Sequence, residues 1–272
     1  MTRRTSAKRK QKRKHLQSEH QFSEPSTPRK KRGKYNDDTV VEINSQNQHL
    51  NQVCATRRSN QPLQAKNPAQ ENYITAIRQH CLTLGLGPAG TGKSYCAAAL
   101  AAEALESGKI ERIILTRPAV EAGEQLGFLP GSVDEKFAVY IDAFRDILNQ
   151  RLGAGTVNYC IRHGRIVAAP LAFMRGKTFD ESTFVILDEA QNTSPTQMKM
   201  FLTRIGENCK VVINGDIRQS DIRGPNGLSD AMDKLKGLPS VYIHHFDYAD
   251  IVRSGLVKSI IDRYEPQVFN SP

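Results

Sequence analysis

The sequence predicts an α/β fold built on a mostly parallel sheet with helices on both faces. Short, continuously apolar runs such as Phe184–Leu187 and Val211–Ile213 lie between polar turns. A run with no polar alternation fits a strand buried on both faces, which a helix-covered parallel sheet provides. Helical stretches separate these runs along the chain. Several of the runs end in loops rich in glycine or acidic residues, and sheets of this kind bind ligands at the carboxyl ends of their strands.

In chain order, a helix is expected over 68–80 and a short buried strand over 82–86. The next helix spans 93–107, where Ala97, Ala98, Ala99, Ala101, Ala102 and Ala104 are strong helix formers. A strand follows at 111–116, then a helix at 133–150 whose Asp142, Arg145 and Asp146 read as a solvated face. Strands at 165–169 and 183–187 precede a helix at 195–205. A strand at 210–214, a helix at 227–236, a strand at 240–244 and a helix at 255–264 complete the order. About 210 residues from Pro62 onward make one domain of ordinary size, so residues 62–272 are assigned to it and residues 1–61 to a tail.

Charge separates the two. Residues 1–34 carry thirteen Lys or Arg against Glu19 and Glu24, a net +11; the whole chain is +10, so residues 35–272 sum to −1. The tail has little to bury, and disorder is expected through its Asn/Gln-rich stretch to about Gln61. Such a basic run suits a salt-sensitive arm for RNA or DNA phosphates, and equally a solubilising terminus. There is no apolar leader at the N-terminus and no run long enough to span a membrane. The five cysteines are widely spaced, with no C-x-x-C pair, which points to reduced thiols rather than zinc or disulfides.

Three motifs carry chemistry. Gly87-Pro88-Ala89-Gly90-Thr91-Gly92-Lys93-Ser94 fits the phosphate-binding loop G-x-x-x-x-G-K-[ST] at every fixed position. Its glycines let the backbone curl around an anion, so that N–H groups and the following helix start face the phosphates. Lys93 is expected on the β- and γ-phosphates and the Ser94 hydroxyl on Mg²⁺. Downstream, the run Phe184–Leu187 ends in Asp188 and Glu189. Asp188 is expected to hold the Mg²⁺ shell through water, and Glu189 to deprotonate the attacking water. The third motif, Asn214-Gly215-Asp216-Ile217-Arg218-Gln219, ends another buried run, and Gln219 is placed to meet a γ-phosphate or the lytic water. His244 and His245 lack a partner at ligand spacing and read as turn or packing residues.

In this order the motifs are similar to the core of superfamily 1 helicases, and more closely the chain resembles the PhoH family of phosphate-starvation-inducible ATPases over about residues 62–266. The resemblance rests on Lys66-Asn67-Pro68-Ala69-Gln70 with Tyr73, Thr116-Arg117-Pro118, Gly127-Phe128-Leu129-Pro130-Gly131, Pro170–Gly176 and Gln197–Gly206. It implies a RecA-like, cytoplasmic ATP-binding domain. Gln70 then matches the upstream glutamine that reads adenine, a task that suits a side-chain amide. Arg117 matches a position that lies near the nucleic-acid strand in helicases, and Arg253 a C-terminal arginine able to reach phosphate. The chain departs from the family pattern at Arg218, where Thr is usual, and over Ile222–Leu228. Longer members carry an acid-rich nuclease domain before the ATPase, and residues 1–61 offer only Glu19, Glu24, Asp37, Asp38 and Glu42, so none is expected.

The expected function is a Mg²⁺-dependent ATPase, with coupling to unwinding of RNA or single-stranded nucleic acid as its expected use; the alternative is a slow, ATP-gated nucleic-acid binding or assembly module without helicase activity. One RecA-like domain supplies one wall of a helicase ATP site. The expectation is therefore a homo-oligomeric ring, a hexamer by resemblance, with Arg204 or Arg253 reaching a neighbour's site.

Overall fold

The computed structural model describes residues 61–118, 133–222 and 224–253, with a few isolated positions beyond. The expected disordered tail, the Gly127–Gly131 motif segment and most of the helix expected at 255–264 lie outside the described residues.

The described elements are α1 (Pro68–Gln79), β1 (Leu82–Leu86), α2 (Lys93–Glu106), β2 (Arg112–Arg117), α3 (Val133–Leu152), α4 (Ala154–Arg162), β3 (Ile166–Pro170), β4 (Thr183–Leu187), α5 (Pro195–Leu202), β5 (Lys210–Gly215), α6 (Gly227–Leu235) and β6 (Val241–His245). Short 3₁₀ turns follow β3, β4, β5 and β6. The six strands form one sheet in the order β3-β2-β4-β5-β1-β6. The expected α/β class holds, and each strand pair among the described residues is parallel rather than most of them. All six carboxyl ends therefore lie at one edge, and β5 separates the strand that feeds the glycine-rich loop from the strand that carries Asp188.

Successive residues of each inner strand serve opposite faces, which explains the uninterrupted apolar runs. Phe184 and Ile186 of β4 join a cluster with Tyr73, Ile77, the α2 alanines, Phe144, Leu148 and Val157. Val185 and Leu187 join a second cluster with Leu84, Met198, Phe201, Val211, Ile213 and Leu228. The small side chains of Ala97, Ala98, Ala101 and Ala102 let α2 lie close on the sheet.

Two elements differ from expectation. α4 is a helix where the sequence suggested a connection. Gly153 turns the chain at φ 84°, and Val157 and Cys160, three residues apart, then bury one short face against the core. The helix expected to reach residue 205 stops at Leu202, because Arg204 and Gly206 leave it to bond Phe179: Phe179 N–H donates to Arg204 O and Gly206 N–H to Phe179 O, both at 2.8 Å.

The entry to the domain is pinned from two sides. Arg151 near the end of α3 pairs with Glu103 of α2 and donates to Gln61 O at 2.8 Å, while Leu63 N–H donates to Glu103 Oε1 at 2.9 Å. At the start of α1, Asn67 caps the helix by accepting from Gln70 N–H, and its Nδ2 donates to Asp250 O at 3.0 Å. These contacts fix where Gln70 stands.

Candidate nucleotide site

β1 delivers the chain into the loop Gly87–Gly92, and α2 leaves it. Gly87 and Gly92 adopt φ values of 130° and 88°, which favour glycine. Space gives a second reason: a Cβ on Gly87 would lie 2.2 Å from Phe246 O, and one on Gly92 2.6 Å from Gln70 Nε2. Gly92 occupies the N-cap of α2 and offers no side-chain cap. The first N–H groups of a four-turn helix thus face the loop's concavity without a protein acceptor from the cap, the standard setting for an anion.

Lys93 is folded back into the loop. Its Nζ donates to Gly87 O at 2.6 Å and Pro88 O at 2.7 Å, with Thr91 Oγ1 at 3.3 Å. Burial pushes its pKa below the ordinary lysine value, opposed by the nearby carboxylates of Asp216, Asp188 and Glu189. Its ammonium is therefore held by neutral carbonyls in the midst of three acids.

Asp188 follows the last residue of β4 and is buried. Its backbone N–H donates to Thr116 O at 3.0 Å. Oδ1 accepts from the Ser94 hydroxyl at 2.8 Å, and Oδ2 pairs with Arg117 at 2.6 Å. Arg117 thus lies inside the site at the end of β2, its guanidinium 5.6 Å from the Phe144 ring centre. It is tied to the strand-end carboxylate rather than standing free as a strand-end cation. Glu189 adopts a left-handed backbone, φ 55°, a conformation costing a non-glycine residue on the order of 1 kcal/mol and concentrated at functional positions. That turn brings its carboxylate out of the strand line and into the cleft.

One cleft of about 360 Å³ collects most of these groups. Its lining includes Gln70, Gly90, Lys93, Ser94, Asp188, Glu189, Gln219 and Arg253. Gln70 is 4 % exposed; its Nε2 donates to Thr91 O at 2.8 Å and its Oε1 accepts from Lys66 N–H at 2.9 Å. One N–H and one lone pair of the amide are left beyond those two bonds. Arg253 reaches the loop of its own chain: its Cγ and Nε would lie 3.1 and 3.2 Å from a Cβ on Gly90, and Val252 N–H donates to Gly90 O at 2.9 Å. Arg204 lies at the opposite edge, before β5 begins. Of the two arginines expected to serve a neighbouring copy, Arg253 therefore faces its own site.

Two residues lining the cleft, Asp216 and Tyr95, and one bonded to its lining, Gln191, were given no role from the sequence. Gln191 bridges Glu189 and Asp216; its place two residues after Glu189 in Asp-Glu-Ala-Gln was the available signal. Asp216 is buried with its Oδ2 unpartnered among the described residues. Tyr95, one residue after the loop motif, also lines the cleft. His244 is a packing residue as expected, its ring 4.5 Å from that of Phe246 and 5.6 Å from that of Tyr73. Arg145 pairs with Asp142 at 3.0 Å on an exposed face, and Cys81, Cys96, Cys160 and Cys209 are free thiols.

Residues 62–265 match the family model described as PhoH-like protein. The chain is 48 % identical over 207 residues to a PhoH-like protein of Bacillus subtilis, covering 75 % of this chain and 65 % of that one. It is 48 % identical over 211 residues to Protein PhoH of Escherichia coli, covering 76 % and 59 %. A PhoH-like protein of Synechocystis is 44 % identical over 224 residues, covering 81 % and 67 %. The chain thus spans less than two thirds of the length of the first two relatives. Among solved structures, the UvsW helicase of bacteriophage T4 aligns at a TM-score of 0.41 and 13 % identity, covering 70 % of this chain and 62 % of that one.

Proposed function

The chain belongs to the PhoH-like protein family, and from that premise we propose that it is a Mg²⁺-dependent ATPase coupled to RNA or other single-stranded nucleic acid. The observation that carries the proposal is the convergence, in one cleft, of the glycine-rich loop with a general-base candidate. Lys93, Ser94, Asp188, Glu189 and Gln219 line it together.

Gly87–Ser94 cradle the phosphates, with the loop and helix N–H groups donating to their oxygens. Gln70 offers its remaining donor and acceptor to the adenine edge. The cradle that any Cβ would fill and the oxygen donors around it fit a nucleotide with Mg²⁺. Ser94 and, through water, Asp188 would hold the ion, since Mg²⁺ prefers oxygen and takes few protein ligands beside substrate phosphates. When bound, the ion supplies charge neutralisation at the phosphate oxygens. Arg117 holds Asp188 in its present orientation. Glu189 takes a proton from water as the water oxygen bonds to the γ-phosphorus; the bond from that phosphorus to the β-phosphate oxygen breaks, and ADP leaves. Gln219 orients the water or a γ-phosphate oxygen, and Lys93 and Arg253 neutralise charge that develops on the phosphate.

The coupling to nucleic acid rests on family likeness and on the basic residues 1–34, assigned with residues up to 61 to a tail preceding the ATPase domain at 62–272. Free thiols support a cytoplasmic setting, and no helix among the described residues is long and apolar enough to cross a membrane. Phosphate release by the full chain in Mg-ATP, with and without single-stranded RNA, tests the proposal. RNA is expected to raise the rate, and deletion of residues 1–34 to weaken that response most at low salt, where the tail's phosphate contacts are least screened. Turnover that ignores RNA and DNA would remove the coupling.

One observation favours a second reading, a slow, ATP-gated binding module. Lys93 is committed to loop carbonyls, so phosphates must displace it before turnover. Slow hydrolysis with tight, nucleotide-dependent RNA binding would select that reading.

A further inference from the structure

We propose that Gln191 is a positioning residue for Glu189, and that it ties the aim of that carboxylate to the loop following β5. The inference rests on the hydrolytic reading above. Glu189 is exposed in the cleft and its backbone is turned out of β4, so packing does not fix its side chain. Gln191 Nε2 donates to Glu189 Oε2 at 2.7 Å.

Gln191 itself has almost no freedom. It is 2 % exposed, its Oε1 accepts from Asp216 N–H at 3.1 Å, and its backbone carbonyl accepts from Ser220 Oγ at 3.0 Å and Asn226 Nδ2 at 2.7 Å. A Cβ on Gly215 would lie 2.8 Å from that Oε1, so the amide crosses the end of β5 without clearance. The amide's orientation is decided by chemistry. A backbone N–H must meet the oxygen, which leaves the NH₂ facing the carboxylate. Reversing it would put two donors together and two acceptors together.

The neighbouring residue makes the same connection. Asn192 Oδ1 accepts from Asp221 N–H at 2.8 Å, and its Nδ2 donates to Asp221 Oδ2 at 3.1 Å. The turn Ala190–Asn192 is thus fastened to positions 216, 220, 221 and 226 of the following loop, and Gln219 sits within that span. A shift of the loop when Gln219 meets a phosphate reaches Glu189 through the Gln191 amide. The base is thereby aimed only when the loop is in place, which makes hydrolysis conditional on the occupant of the cleft.

Two variants separate this role from that of a mere brace between loops. Gln191→Glu keeps an oxygen for Asp216 N–H and loses the donor to Glu189; Gln191→Met loses both. Phosphate release at saturating Mg-ATP at alkaline pH is compared with equilibrium binding of a fluorescent ATP analogue for wild type, both variants and Glu189→Gln. Displacing a reacting group by a fraction of its reach costs about 10- to 100-fold in rate. Both Gln191 variants are expected to lose about that factor in kcat while Kd stays within about twofold, the split that marks loss of a transition-state interaction. Gln191→Glu with wild-type kcat overturns the inference, as does a loss of affinity that matches the loss of rate in both variants. A wild type that releases no phosphate overturns the hydrolytic reading and this inference with it; an active wild type beside an equally active Gln191→Glu overturns the inference alone.

Discussion

At the scale of single residues, the site is a set of polar groups held by one another. Lys93 shows this most directly. Its ammonium is folded onto loop carbonyls, and burial holds its pKa below the ordinary value of 10.5. Phosphate oxygens favour the charged form, so nucleotide binding should draw a proton onto Lys93 wherever it is partly neutral. Affinity should accordingly decline as pH rises through the lowered pKa, earlier than an ordinary lysine would impose; fluorescent-nucleotide titrations across alkaline pH check this. Lys93→Ala should weaken binding about 10- to 100-fold, the scale of a charged hydrogen bond worth roughly 1.5–3 kcal/mol, and should flatten that pH dependence. The residue types of the loop and of Asp188–Glu189 were legible in the sequence because their spacing is local. The ion pair of Arg117 with Asp188 and the bridge from Gln191 to Asp216 were not, since they join chain segments 71 and 25 residues apart that only the sheet order brings together.

At the scale of elements, the close seat of α2 fixes the loop it grows from. Ala98 is fully buried against the sheet, so Ala98→Leu should overpack the interface at a cost of about 1–3 kcal/mol. On the other face, Phe201→Ala should cost about 3–5 kcal/mol through the cavity it leaves; thermal unfolding of each variant measures both. Edge strand β6 carries a pH-sensitive contact. Burial lowers the pKa of His244 below its ordinary value of 6.5, so the unfolded chain binds the proton more readily than the folded one. Stability should be full above 6.5 and fall as pH drops below it, and His244→Phe should reduce the drop in melting temperature. The inner strands were readable because residues buried on both faces leave an unbroken apolar run. α4 was hidden because Gly153 and Gly155 read as a turn, while only Val157 and Cys160 mark its buried face.

At the scale of the whole molecule, one parallel sheet presents its binding groups at one edge, where Lys93, Asp188, Glu189 and Gln219 line the cleft. A ring of copies, hexameric by family likeness, would add a cation from a neighbour. Arg253 lies against its own loop, which leaves Arg204 of the two candidates for another copy's site. Light scattering in Mg-ATP should then report a closed oligomer, and Arg204→Ala should lower turnover without loosening nucleotide; a monomeric mass would remove the ring. The order of motifs announced the fold and the general place of the site, whereas an assembly depends on surfaces that carry no comparable pattern. The claim on which the rest depends is that Glu189 activates water beside an intact phosphate cradle. It is tested most directly by phosphate release and nucleotide affinity of Glu189→Gln beside wild type. The account predicts that the variant binds ATP as tightly as wild type and loses about 100- to 10,000-fold in turnover, the usual contribution of a general base; full activity in Glu189→Gln would contradict it.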